Sequence, residues 1–185
     1  VGSEMCIRDR KQSVYWYMEA YRRGIERGKA EAAQVYLHAG VSSLRSARSK
    51  KGKERAVEYL EEAGMLGCLE AYRVLAETSY VDGDQEKRLY YLRKGAEAGS
   101  EECRKDLISY YTMQAMPVMR SVSRLSGQAH RNKEDKELWN IYIAQLKKAE
   151  ELYKKAAEAG DADSWAVLAR MYLYKGPEVG AGKQE

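Results

Sequence analysis

The sequence predicts an all-α fold, an α-α superhelix (solenoid) in which two-helix hairpins stack along the chain. Three observations carry this reading. Segments of the sequence repeat in register on glycines, apolar residues recur at helical spacing upstream of those glycines, and only 2 prolines interrupt 185 residues.

The repeat is the strongest signal. YLEEAGMLGCLEAYRVLAETSYVDGD at 59–84, YLRKGAEAGSEECRKDLISYYT at 91–112 and LYKKAAEAGDADSWAVLARMYLYKG at 152–176 align without gaps on Gly67, Gly99 and Gly160. A fainter copy, YRRGIERGKAEAAQVYLHAG, aligns on Gly28. The intervals of 39, 32 and 61 residues compare with roughly 34–40 for one helical hairpin, so the last holds a repeat plus an insertion around 115–136.

Within each copy the pattern is helix, glycine, helix. Ala149, Leu152, Tyr153, Ala156 and Ala157 form one i, i+3, i+4, i+7, i+8 stripe, and Ala56, Tyr59, Leu60, Ala63 and Gly64 repeat it. Glycine closes the first helix in a left-handed conformation, and Ser100 or Asp161 caps the next. Ala156, Ala157 and Ala159 are expected to face Ala162, Ala166 and Ala169 across a close helix crossing, with Leu168 and Tyr172 filling the space around them. Pro117 is expected to end or kink the helix begun at Ser100, leaving a short extra helix before a polar loop at 126–135.

Composition agrees with a folded helical chain: 44% hydrophobic, 32% charged, 15 tyrosines and no phenylalanine. Tyrosine suits a thin layer whose ring packs while its hydroxyl stays wet. No apolar run is long enough to span a membrane. Residues 1–10, VGSEMCIRDR, resemble the conceptual translation of a sequencing adaptor and are set aside as an artefact. That leaves 11–185 as a single repeat domain, expected to be truncated at both ends. Cys68 and Cys103 have no metal or redox spacing and are expected as buried thiols; this leans towards a cytoplasmic setting, with localisation otherwise unassigned.

No catalytic constellation is visible. His38 and His130 are far apart, no G-x-S-x-G or S-x-x-K motif occurs, and the G-A-G-K tail at 180–183 follows a helix and is succeeded by Gln184 where a phosphate loop needs Ser or Thr. No enzyme activity, cofactor or metal is therefore expected. Charge is uneven: 42–55 holds six basic side chains and one acidic, net +5, and 117–136 carries Arg120, Arg124, Arg131, Lys133 and Lys136 against Glu134 and Asp135. Both stretches are expected in or beside loops. They admit a polyanion or nucleic-acid partner, but the basic residues lack interleaved aromatics, which disfavours nucleic acid.

The run A-E-E-L-Y-K-K-A-A-E-A-G-D-A, Ala149 to Ala162, followed by L-A-R-M-Y, Leu168 to Tyr172, then Gly176 and Val179, resembles the Sel-one-like repeat of the tetratricopeptide-like superfamily. The resemblance spans roughly 14–180, although Ala76, Ile108 or Ala169 stands where the family has a glycine. It implies an interaction scaffold that binds a protein or peptide on a concave face lined by the first helix of each hairpin. The residues it places there are Gln34, His38, Glu70, Arg73, Glu77, Glu102, Lys105, Ser109, Thr112, Asp163, Arg170 and Tyr174. Oligomeric state is left open.

Overall fold

Glycine turns set the rhythm of the backbone. The computed structural model describes the backbone of residues 2–179 and the side chains of residues 9–173. Among them eight helices follow in order with no strand: α1 (Gly2–Arg22), α2 (Arg27–Ser46), α3 (Lys50–Met65), α4 (Leu69–Val81), α5 (Gln85–Glu97), α6 (Glu101–Arg131), α7 (Lys136–Glu158) and α8 (Ala162–Val179). The chain is all-α, and neighbouring helices pack in sequence order.

Gly67, Gly99 and Gly160 have φ of 97°, 100° and 107°, the left-handed conformation that a side chain disfavours. Each makes the same double closure. After α3, Cys68 N–H donates to Ala63 O at 3.0 Å and Gly67 N–H to Gly64 O at 2.9 Å; after α7, Asp161 N–H donates to Ala156 O at 3.1 Å and Gly160 N–H to Ala157 O at 2.9 Å. These bonds satisfy carbonyls that a helix end leaves open. Caps then start the next helices, with Ser100 Oγ accepting from Cys103 N–H at 3.3 Å and Asp161 Oδ2 from Ser164 N–H at 3.1 Å.

The first copy departs from its predicted register. The left-handed glycine is Gly24, φ 90°, whereas Gly28 lies inside α2 and is buried. Its role is close approach: a Cβ there would overlap the Tyr17 carbonyl oxygen and reach Tyr21 N at 2.8 Å, so α2 nests directly on the backbone of α1.

The helices form two compact units, Val1–Cys103 and Arg104–Glu185. In the first, Ala32, Ala33, Leu37, Ala56, Leu60, Ala63, Leu75 and Leu92 form a buried layer. Small residues let its helices touch. A Cβ on Gly64 would meet the Tyr72 ring at 2.7 Å, and one on Gly95 would overlap Cys103 Sγ and reach Tyr72 Cβ at 3.1 Å. Cys68 and Cys103 are buried and neither is in a disulfide, and burial pushes the Cys68 thiol above its usual range.

The second unit centres on Tyr142 and Leu146 of α7. Val122 and Ala129 of α6 and Leu168 and Met171 of α8 close over them. Trp139 packs on Tyr142 at 5.6 Å between ring centroids, and His130 meets both rings edge-on.

Residues 2–10 lie in helix α1. Three expectations are corrected here. Pro117 does not end its helix. It sits on the exposed side of an unbroken α6, where water can solvate the carbonyl its missing N–H would have served, and the proposed insertion at 115–136 is this longer helix plus the short connection at 132–135. The basic stretch 42–55 straddles the connection at 47–49 and so lies beside a loop as expected, whereas Arg120 and Arg124 of the second stretch stand exposed well inside α6. Finally, α8 turns Ser164, Leu168 and Met171 inward, leaving Ala162, Ala166 and Ala169 exposed.

That last correction separates two substitutions that the sequence treats alike. Ala157, 3% exposed within the second core, has no room for an indole. Ala157→Trp is expected to cost at least ~3 kcal/mol by overpacking, whereas exposed Ala169→Trp should stay within about 0.5 kcal/mol. Denaturant titrations of the two variants check the contrast.

Candidate binding groove

Three helices and one turn of the first unit converge on a groove of about 490 Å³. Lys50, Lys53, Glu54, Val57 and Glu58 come from α3, Leu75, Thr78 and Ser79 from α4, Asp82 and Asp84 from the turn, and Lys87 and Tyr91 from α5. The α3 residues share one side because they recur at three- and four-residue intervals. Ser49 fixes where that helix begins, its hydroxyl accepting from Gly52 N–H at 3.2 Å. Gly83, φ 76°, folds α5 back beside α4.

The floor is apolar and its hydroxyls are committed. Val57, Leu75 and the buried ring of Tyr91 line it. Thr78 Oγ1 donates to Val74 O at 2.8 Å, Ser79 Oγ to Leu75 O at 2.9 Å, and the Tyr91 hydroxyl to Glu61 Oε1 at 2.8 Å. Burial, reinforced by that carboxylate, pushes the Tyr91 phenol far above its ordinary range, so it stays protonated.

The rim mixes signs. Lys53 Nζ pairs with Asp82 Oδ1 at 2.7 Å, linking α3 to the far end of α4. Asp84 caps α5 by accepting from Lys87 N–H at 3.0 Å, and Lys87 Nζ lies 3.1 Å from its other oxygen. The backbone N–H of Lys87 first, and its ammonium second, hold the Asp84 carboxyl below the usual carboxylate range. The Lys53–Asp82 pair is half-exposed, so it contributes only about 0–1 kcal/mol. Lys50, Glu54 and Glu58 are exposed beside these pairs.

The residues predicted for a concave face divide between the units. Gln34 and His38 of α2 and Glu70, Arg73 and Glu77 of α4 lie in the first unit, as does Glu102 at the start of α6; Lys105, Ser109, Thr112, Asp163, Arg170 and Tyr174 lie in the second. The structure draws three of them together: Arg73 bonds Glu77 at 2.6 Å and lies 3.9 Å from Glu70. Gln34 and His38 are exposed, and Gln34 lines a smaller cavity of about 210 Å³ with Glu26, Lys29, Leu66 and Cys68. Glu102 accepts from Ser100 Oγ at 3.3 Å, Ser109 Oγ lies 3.8 Å from Met113 Sδ, and Thr112 Oγ1 donates to Ile108 O at 2.8 Å. Lys105 and Asp163 are exposed, Arg170 Nε donates to Ala166 O at 3.3 Å, and Tyr174 lies outside the described side chains.

The groove residues themselves escape sequence reading. The clue was the spacing of Lys50, Lys53, Val57 and Glu58 within a stretch that otherwise reads as a solvated charge run. Among the described residues, no cluster of three His, Cys, Asp or Glu could hold a metal, and no helix is long and apolar enough to cross a membrane. No family model matches the chain, and no curated protein matches it either.

Proposed function

We propose that this chain is a protein-interaction module that seats a peptide or a protein segment on its helical surface, with the α3–α5 groove as the principal site. One observation carries the reading: an apolar floor of Val57, Leu75 and Tyr91 beneath a rim bearing both signs of charge. Such a groove buries apolar side chains while the rim fixes the register of a ligand carrying both charges. The repeat architecture belongs to the same proposal, a Sel-one-like superhelix of stacked hairpins. Its support is the glycine closure recurring at Gly67, Gly99 and Gly160.

A polyanion is the weaker alternative. Arg45, Arg48, Lys50, Lys51, Lys53 and Arg55 are exposed around the α2–α3 junction, but Glu54, Glu58, Asp82 and Asp84 stand in the groove beside Lys50 and Lys53. These carboxylates would repel phosphates.

Selection of a random peptide library against the full chain, followed by titration of the selected peptide, tests the proposal. Lys50→Glu with Glu58→Lys is expected to weaken binding at least tenfold, about 1.4 kcal/mol, with the melting temperature unchanged. Binding indifferent to that pair but lost in Arg73→Glu would move the site to the Glu70–Arg73–Glu77 row. A log–log salt slope near that of several released counterions would favour the polyanion reading.

A further inference from the structure

The polar groups of the α3–α5 groove divide into those the fold has used and those it has left. Lys53 is paired with Asp82 and Lys87 with Asp84, and the hydroxyls of Thr78, Ser79 and Tyr91 each donate to an oxygen of the protein. Lys50, Glu54 and Glu58 remain. All three are exposed on α3, and none makes an ion pair among the described residues.

The helix sets their order. At four-residue intervals and 1.5 Å per residue the three charges follow one another about 6 Å apart and span about 12 Å. At 100° per residue they turn through only about 80°, so they form one row along the apolar floor that Val57 begins. Read from the start of α3, the row is positive, negative, negative. The facing wall adds no unpaired charge, because Lys87 is held by Asp84. Lys51 and Arg55 are exposed as well, but they do not line the groove.

The beginning of α3 reinforces the positive end. Its first turn holds Lys50, Lys51 and Lys53 and no acidic residue, so nothing in that turn offsets the partial positive charge of a helix N-terminus. A carboxylate placed over Lys50 meets both.

We infer that the groove takes a net-basic segment of a partner protein, with an acidic side chain over Lys50, apolar side chains on Val57, Leu75 and Tyr91, and two basic side chains over Glu54 and Glu58. This rests on the groove being the peptide site and adds which peptide it selects. A ligand of the opposite charge order sets like charges together at all three positions. A basic side chain also suits the floor, since its alkyl stem packs on Val57 while its head reaches a carboxylate. A short segment is enough, because about 12 Å corresponds to about four residues of extended chain.

Random-peptide selection against the full chain tests the charge order. The recovered peptides are expected to carry more Lys and Arg than Asp and Glu, grouped around apolar residues. The commonest peptide should bind the Glu54→Lys, Glu58→Lys variant at least roughly tenfold more weakly, and exchanging its basic residues for Glu should restore most of that loss. Exchanging its acidic residue for Lys should weaken binding to the parent chain by roughly threefold and be offset in Lys50→Glu. The melting temperature should not move, because the three positions are exposed. Peptides that lose affinity on Val57→Asn, and so sit in the groove, yet are acidic or ignore Glu54 and Glu58, would overturn the charge order and leave the groove standing. A library that yields no binder, or binders indifferent to Val57→Asn, would overturn the groove reading and this inference with it.

Discussion

Replacing Tyr142 with Ala is expected to destabilise the second unit by about 3–5 kcal/mol, the range for deleting a large buried aromatic ring. Tyr142 is fully buried, and α6, α7 and α8 all contribute to the cluster around it. Its neighbours cannot collapse into the void, because Val122 and Ala129 are fixed on α6, Leu146 on α7 and Leu168 on α8, and Trp139 lies along one edge of the ring. Denaturant unfolding followed by far-ultraviolet circular dichroism should show an early transition for this unit. A midpoint within error of the parent would mean that the three helices do not share this core.

Gly28→Ala should be nearly as costly, although it adds a single methyl group to a helix. Ordinarily that change gains about 0.5–1 kcal/mol. Here the methyl group would overlap the Tyr17 carbonyl oxygen and crowd Tyr21 N and Cα, which are backbone atoms that no rotamer change can move aside. Relief requires α1 and α2 to separate. A loss of about 2–3 kcal/mol, a fall of roughly 4–12 °C in melting temperature for a chain of this size, is the expected outcome. Gly52→Ala is a useful control, since its added atom would meet neighbours only at ordinary contact, 3.4 Å or more. If Gly28→Ala proved as mild as Gly52→Ala, the α1–α2 approach would be looser than described.

What could be read from the sequence was local. The stripes ending at Gly67 and Gly160, the left-handed glycines and the caps at Ser100 and Asp161 each lie within a few residues of what determines them. Gly24 and Gly28 show where such reading stops. Both are glycines at the end of a helical pattern, and only the approach of Tyr17 and Tyr21 decides which one turns the chain. In α8 apolar residues occupy most of the circumference from Trp165 to Leu173, so periodicity cannot choose the inward side. Pro117 carries a strong local rule that exposure on one side of α6 overrides. The groove was least legible: its residues run from Lys50 to Tyr91 on three helices, and their mixed charges resemble an ordinary wet surface until those helices meet.

The two buried thiols give the first unit built-in reporters of its own breathing. Cys68 immediately follows the glycine that joins α3 to α4, and Cys103 lies in the first turn after the glycine that joins α5 to α6. Neither is open to a bulky alkylating reagent while its junction is closed. The rate at which each sulfur is modified therefore clocks the opening of one particular junction, so the order in which the hairpins come apart is written into the native cysteines without adding a label.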